Sequence, residues 1–414
     1  MYSLLIKNAR LFGNESQQLD IGIKDNIIAK IGQDLGIEAE QIIDAQGKLI
    51  IPGFVDLHTH LDKTMTSHIL KNESGTLMGA IISMNEFFAK YDPEDIYQRA
   101  RKAAELAISK GTIALRTHIT IDRAVGLGII RPILKLKEEL KDVLTLQVIA
   151  FPSSHKGGIQ EADLGVLRQA ISEGADLLGG CPHLEEDHKH FTDHIFRLAK
   201  ELDVDLDLHV DESDAPNVDA LEYVAEKTIE MGYQGRVTAG HCTALSAVPK
   251  ATADRVISKV KDAGMTIVTL PSCNLYLMGR YDEVLQRRGV TRIREFLNAG
   301  VNIAFASDNV RDPFRPFGNH DLLEEALLTA QVAQMGTEAE LNTILKMGTY
   351  NPAKAMRLPK YGVEEGCYAD LVILDAASAP EAIVEQSTKA WIIKRGKVVA
   401  RNTRDTEEVW KEKK

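Results

Sequence analysis

The sequence predicts an α/β protein: a (β/α)8 TIM-type barrel with a small β-sandwich domain built from both chain ends. Two patterns carry this prediction. Both ends of the chain are rich in short strand segments, and the middle alternates eight apolar strand segments with amphipathic helical segments. Alternating strands and helices favour a parallel sheet, and eight such units favour a closed barrel over an open doubly wound sheet.

The two chain ends have similar sequence patterns. In the first 53 residues, short apolar segments are separated by turn-like pairs such as Gly13-Asn14 and Asp25-Asn26. Similar segments recur at 369–374, 391–394 and 397–400. We therefore predict a composite β-sandwich domain from residues 1–53 and 359–414, and a barrel domain from residues 54–358.

The middle of the chain supplies the eight strands of the predicted barrel. Helical patterns such as 93–110, 191–202 and 218–231 lie between them, with apolar residues at three- and four-residue spacings. No Gly-rich phosphate loop follows any strand, which weakens a nucleotide-binding alternative. The strand segments are Phe54-Val55, 112–118, 145–151, 177–180, 205–209, 237–241, 266–270 and 302–306.

Composition limits the partners and the compartment. The net charge of −11 argues against a nucleic-acid partner, and no apolar run approaches the roughly 20 residues of a membrane helix. The N-terminus shows no secretory signal. The four cysteines lie far apart without a C-x-x-C pair, as is typical of free thiols in a reducing compartment. We expect a soluble, cytoplasmic protein.

Polar residues lie at the carboxyl ends of the predicted strands. His58 and His60 end the first strand on one face, and His209, His241 and Asp308 end the fifth, sixth and eighth. Taken singly, each has a plain structural explanation, such as a solvent-exposed strand end, a core histidine or a helix N-cap. If these residues did not form one site, five independent coincidences would be needed to explain their presence at the same rim of the barrel. Three histidines and a carboxylate are a common catalytic metal set.

Glu212 lies three residues after His209, on the predicted loop just beyond the fifth strand. A carboxylate at this place could take a proton from an activated water and pass it to a leaving nitrogen. The alternative is a solvated loop charge with no role in chemistry.

Several segments together resemble the amidohydrolase superfamily, and most closely its cytosine deaminase branch. The resemblance covers nearly the whole chain. The segments that carry it are 53–62, 116–118, 148–152, 181–185, 209–212, 240–244, 287–292 and 307–313.

The resemblance implies a role for each polar residue. His58, His60, His209 and Asp308 would bind one divalent metal ion, zinc or iron, and Asp308 would also share the proton transfer. His241 would hold or polarise the attacking water, and Glu212 would carry the proton to the substrate ring. The fourth strand ends without the lysine that bridges two metals in other members, which favours a single ion.

The predicted substrate contacts are Lys63, Ser153, His183, Asn309 and Phe314. Four of them depart from the cytosine deaminase pattern. Ser153 stands where those enzymes have a glutamine that reads the pyrimidine edge, Asn309 replaces an aspartate, Phe314 replaces a tryptophan, and Lys63 replaces a neutral residue. Without the glutamine amide, ring atoms of cytosine would remain unpaired, so we expect poor cytosine turnover.

Lys63, Asn309 and residues 316–319 look more like the N-isopropylammelide amidohydrolases, which remove alkylamines from triazine rings. Glu212 instead matches the deaminases. Lys63 could pair with an anionic or carbonyl-rich substrate, or it could be a solvated lysine at the rim. Whether the loop at 65–84 closes over the site stays open.

We therefore predict a metal-dependent hydrolase that removes ammonia or an amine from a small amino-substituted N-heterocycle: a pyrimidine, a triazine or a related ring. One alternative is a cyclic-amide hydrolase, which would need no proton shuttle to a ring nitrogen. A second is a catalytically silent metal-binding assembly protein. The resemblance also allows for a homo-oligomer, although the sequence shows no interface.

Overall fold

The structure is a computed structural model that describes residues 1–121, 123, 125–152 and 158–404. Contacts between residues divide the chain into two compact units. One contains residues 1–53, 108–111 and the described residues from 360 onward, and the other contains residues 54–107 and 112–359. Residues 405–414 of the predicted end domain lie outside the described part of the chain.

Sixteen strands are found in the described residues. In chain order they are β1 Tyr2–Leu11, β2 Asn14–Lys24, β3 Ile27–Gly32, β4 Ala39–Asp44, β5 Leu49–Pro52, β6 Phe54–Thr59, β7 Thr112–Ile121, β8 Thr145–Pro152, β9 Leu177–Gly180, β10 Asp205–Val210, β11 Val237–His241, β12 Thr266–Thr269, β13 Asn302–Phe305, β14 Leu371–Leu374, β15 Lys389–Lys394 and β16 Lys397–Arg401.

The helices lie between and after these strands, together with 3₁₀ turns at Pro182–Leu184 and Thr243–Ala247. None of the described helices has both the length and the apolar character needed to cross a membrane. The α-helices are α1 Leu77–Phe88, α2 Pro93–Ser109, α3 Ile130–Leu140, α4 Glu161–Ser172, α5 His188–Leu202, α6 Asp219–Glu230, α7 Lys250–Asp262, α8 Pro271–Leu277, α9 Ile293–Ala299, α10 Leu322–Val332, α11 Glu338–Met347, α12 Tyr350–Ala355 and α13 Ala379–Val384.

The eight strands β6 to β13 form one parallel sheet in chain order, with helices between successive strands. A parallel bridge between Thr59 and Asp308 joins the two ends of the sheet. The Asp308 N–H donates to the His58 carbonyl at 2.8 Å, and the Thr59 hydroxyl donates to the Asp308 carbonyl at 2.8 Å. The predicted TIM-type barrel is therefore confirmed, and the bridge that joins its ends lies at the predicted site.

The other unit contains a sheet with strands from both chain ends, as the sequence predicts. Its strand order is β16-β15-β14-β5-β1-β2-β3, with β4 paired beside β1. Apolar side chains such as Ile6, Ile21, Ile50 and Ile373 are fully buried in one core. Strand β4 was not among the predicted segments.

Helix α1 corrects one expectation, because residues 65–84 were predicted as a loop. The second half of this segment is helical. The Thr76 hydroxyl caps the helix by accepting from the Gly79 N–H, and Ala80, Met84 and Phe88 lie on its buried face. The four-residue spacing of these three side chains gives the helix one inward stripe.

Candidate active site

The four predicted metal ligands converge at the carboxyl end of the barrel. His58 lies in β6, His209 lies in β10, and His60 and Asp308 follow β6 and β13. The Nε2 atom of His209 is 3.2 Å from that of His58 and 3.2 Å from that of His60. Asp308 Oδ1 lies 3.3 Å from His60 Nε2 and 3.6 Å from His58 Nε2. All four side chains are buried.

The chemistry of this donor set fits a divalent cation. Neither carboxylate oxygen of Asp308 has a hydrogen-bond partner among the described residues, and such a buried charge is costly unless it is compensated. Burial lowers the pKa values of His58 and His209, which favours the neutral rings that metal binding requires. Two nitrogens bound to a tetrahedral zinc lie about 3.3 Å apart, close to the spacing of these rings.

His241 and Glu212 form a second pair beside the ligand cluster. His241 ends β11, and its Nδ1 lies 3.1 Å from Glu212 Oε1. Burial disfavours the charged imidazole, but the charge and hydrogen bond of Glu212 outweigh it, and the pKa of His241 is raised. The opposite nitrogen is buried, without a partner in the described residues. His241 and Asp308 offer metal-binding atoms within 4.8 Å of one another.

Asn274 on α8 joins this pair, and the sequence interpretation missed it. Its Nδ2 lies 3.1 Å from His241 Nδ1 and 3.4 Å from Glu212 Oε1. The only signal in the sequence is its place shortly after the strand segment 266–270, where a barrel positions its active-site residues.

The turn that carries Asp308 is strained and firmly held. Asp308 has a φ of +54°, an uncommon value for a residue with a side chain. The neighbouring Ser307 donates its hydroxyl to Asp56 at 2.6 Å, and the Arg315 guanidinium donates to the Ser307 carbonyl at 3.2 Å. These contacts fix the direction of the Asp308 carboxylate.

A cavity opens beside the ligand cluster, with an empty volume of about 760 Å³ that includes space at its mouth. Of the predicted substrate contacts, Lys63, Asn309 and Phe314 line it. Ser153 lies outside the described residues. His183 does not appear among the described residues that line the cavity. Its Nδ1 is 3.2 Å from the His209 carbonyl oxygen, and burial lowers its pKa to about 4.

The cavity has a polar side and an apolar side. On the polar side, Lys63 Nζ lies 3.2 Å from His60 Nδ1 and 3.5 Å from Thr120 Oγ1, near Glu212, His241 and Asn309. Helix α1 supplies much of the apolar lining. Its residues that line the cavity are Leu77, Ile81, Met84, Asn85 and Phe88.

Comparisons with known proteins agree with this geometry. A sequence model described as the amidohydrolase family matches residues 41–129 and 136–400. The chain belongs to the amidohydrolase family. This amidohydrolase is 34% identical over 409 residues to the N-isopropylammelide isopropyl amidohydrolase of Pseudomonas sp. (strain ADP), covering 97% of this chain and 98% of that protein.

Two further relatives of this amidohydrolase are deaminases. The pterin deaminase of Rhizobium rhizogenes is 32% identical, with 94% of this chain and 90% of that protein covered. The crystal structure of 5-methylcytosine deaminase from Klebsiella pneumoniae liganded with 5-fluorocytosine has a TM-score of 0.91 and 32% identity, and the match covers 97% of this chain and 98% of that chain. The predicted cytosine deaminase-like amidohydrolase, a hydrolase of carbon–nitrogen bonds, is confirmed.

Proposed function

We propose that this amidohydrolase removes ammonia or an amine hydrolytically from an amino-substituted N-heterocycle. One divalent cation, zinc or iron, would be held by His58, His60, His209 and Asp308. The convergence of these four ligands beside Glu212 is the observation that carries the proposal. The named relatives, which act on N-isopropylammelide, pterin and 5-methylcytosine, support a heterocyclic substrate.

The residues divide the proton transfers between them. The cation supplies Lewis-acid activation of a water molecule. His241 offers a ring nitrogen within 4.8 Å of possible ligand atoms of His58 and Asp308, and it would hold the nucleophile. Glu212 would take one proton from the water and deliver it to the ring nitrogen next to the attacked carbon, and Asp308 would take the second water proton and pass it to the leaving amine. The carbon–nitrogen bond then breaks, leaving a ring carbonyl and a free amine.

Substrate orientation follows from the two sides of the cavity. The Lys63 ammonium favours a ring with carbonyl or anionic oxygens, and the Asn309 amide adds a hydrogen-bonding group beside it. The apolar side chains of α1 also line the cavity, where they can pack on the flat face of a ring or on an alkyl group. Because position 153 holds a serine and not a glutamine, we still expect poor turnover of cytosine.

The test is amine or ammonia release from a panel of aminopyrimidines, aminotriazines and pterins, with Glu212→Gln measured on the best substrate. We expect the substitution to lower kcat by about 10²–10⁴-fold with cation content unchanged. Glu186→Gln, a change at an exposed residue, serves as the matched control and should have wild-type activity. Release from no member of the panel would contradict the proposal. A nearly unaffected Glu212→Gln enzyme would exclude Glu212 from the proton transfer.

We also propose a cytoplasmic location. The four cysteines are free thiols, and three of them are buried, which suits a reducing compartment. Mass spectrometry of intact protein from gently lysed cells, alkylated before and after reduction, should show four thiols in both samples. A disulfide lost on reduction would contradict the location.

A further inference from the structure

One further histidine, outside the proposed ligand set and the His241–Glu212 pair, contacts the ligand cluster. His118 on β7 is fully buried, and its Nε2 lies 3.2 Å from His58 Nδ1. The two ring centroids are 4.1 Å apart. His118 therefore faces the nitrogen of His58 that points away from His209 and Asp308. The proposed function gives this residue no role.

A buried ion pair fixes the surroundings of His118. Asp207 Oδ1 lies 3.5 Å from His118 Nε2, and Asp207 Oδ2 accepts from Arg116 Nη1 at 2.8 Å. The Arg116 guanidinium also donates to Gln147 Oε1 at 3.0 Å and to the Ala355 carbonyl at 3.1 Å. These contacts hold the Arg116 side chain in place, and Arg116 in turn holds the Asp207 carboxylate next to the His118 ring.

The proton positions follow from the chemistry of neutral imidazole, which carries one N–H and one lone pair. A His58 ring that gives its Nε2 lone pair to a cation keeps its proton on Nδ1, and that N–H needs an acceptor. His118 Nε2 is at hydrogen-bonding distance from it. The proton of His118 then lies on Nδ1, an atom that is buried without a hydrogen-bond partner in the described residues.

We propose that His118 is a positioning residue that accepts a hydrogen bond from His58 Nδ1 and is not itself a metal ligand. It fixes the tautomer and the ring orientation in which His58 Nε2 faces the cation. This inference rests on the proposed cation site. A rival arrangement has His58, His118 and His209 as the ligand set, since their nitrogens lie within 4.8 Å of one another. A cation held by His58 Nδ1 and His118, however, would lie on the far side of the His58 ring from Asp308 and leave that carboxylate uncompensated.

Two substitutions separate these arrangements. His118→Phe keeps a ring of similar shape without an acceptor, and His118→Gln offers an amide oxygen in its place. Zinc affinity is measured by chelator competition, and the visible spectrum of the cobalt(II)-loaded protein reports the ligand set. We expect His118→Phe to bind zinc about 10–100-fold more weakly and His118→Gln to remain within about threefold of wild type, with an unchanged cobalt spectrum.

Wild-type zinc affinity in His118→Phe would overturn the positioning role. A changed cobalt spectrum in His118→Gln, with a loss as large as in His118→Phe, would make His118 a ligand. If the wild-type protein bound no zinc, the proposed cation site itself would fail, which is a separate outcome. Should His118→Phe not fold, nitrogen-15 NMR of the zinc-loaded wild type decides: the inference requires His58 protonated on Nδ1 and His118 free of zinc, and the reverse pattern would refute it.

Discussion

Two buried aspartates, one in each unit of the chain, have opposite surroundings. Asp370, in the unit built from the chain ends, accepts from Lys394 Nζ at 2.9 Å and from the Arg395 N–H at 2.6 Å. Asp308, in the barrel, is fully buried, and neither of its oxygens has a hydrogen-bond partner among the described residues. Its neighbours are the Nε2 atoms of His58 and His60.

The difference supports the proposal that Asp308 binds a cation, whereas Asp370 stabilises the fold. Asp370 receives its counter-charge from the chain itself, as buried polar groups in stable proteins do. Asp308 has no hydrogen-bond partner among the described residues, and a cation bound to the nearby nitrogens of His58 and His60 would compensate its charge. Buried charges in a sheet core pair with other groups of the chain, whereas a binding site leaves some buried atoms available to coordinate a ligand.

The largest predicted effect is that of Asp308→Asn. The substitution removes the negative charge among the ligands, so we expect cation binding to weaken and kcat/KM to fall on the order of 10³-fold or more. Metal-free protein should be no less stable than wild type, because an uncompensated buried charge is removed. Urea unfolding of both proteins in chelator checks this. A loss of stability in the metal-free variant would mean that Asp308 has a structural partner.

Asp370→Asn should show the opposite pattern. It removes the charge of the carboxylate that lies 2.9 Å from the Lys394 ammonium, and Lys394 is only 2% exposed. Breaking a buried pair in this way costs about 3–5 kcal/mol of unfolding free energy. Cation content and KM of the folded protein should not change. Urea unfolding and metal analysis of the same sample test both parts, and reduced cation content would contradict the division of roles.

A third buried carboxyl group tests the comparison through pH. Glu325 accepts from the Ser272 hydroxyl at 2.6 Å, and burial raises its pKa to about 7 even though Arg315 lies nearby. Because the folded-state pKa is raised, the stabilisation is complete below pH 4.5 and is lost as pH rises through about 7.

The expected loss over that range is roughly 3 kcal/mol of unfolding free energy. Glu325→Gln should flatten the pH dependence between these limits, as measured by urea unfolding at several pH values. An equally steep curve in the variant would show that other groups control the pH dependence.

The smallest predicted effect concerns the apolar side of the cavity. Ile81 on α1 lines the cavity, while the adjacent Ile82 is 56% exposed. Ile81→Ala should raise KM on the order of tenfold by removing about 1–2 kcal/mol of apolar contact with the substrate. Ile82→Ala is the matched control and should leave KM unchanged. Equal effects of the two substitutions on KM would show that α1 does not contact the substrate.

Much of the site could be predicted from the sequence because strand geometry is local. His58, His60, His209, His241 and Asp308 each follow an apolar strand segment, and parallel strands in a barrel bring such ends to one rim. The family resemblance then supplied their roles. The same alternation of strands and helices was sufficient to predict the barrel itself.

The missed parts depend on contacts that no local pattern reveals. Helix α1 is apolar on both faces, with Met78 and Ile82 exposed. Its apolar residues are therefore not confined to the three- and four-residue spacing that identifies an amphipathic helix in the sequence. Asn274 meets Glu212 across 62 residues of sequence, and His118 meets His58 across 60. Such pairs are defined only once the barrel closes and adjacent strands fix their register.

The most direct test is a crystal structure of the zinc-loaded protein with anomalous data collected at the zinc edge. We expect one peak per chain, bonded to the Nε2 atoms of His58, His60 and His209 and to Asp308. No peak, or a single ion bonded to His118 in place of Asp308, would contradict it.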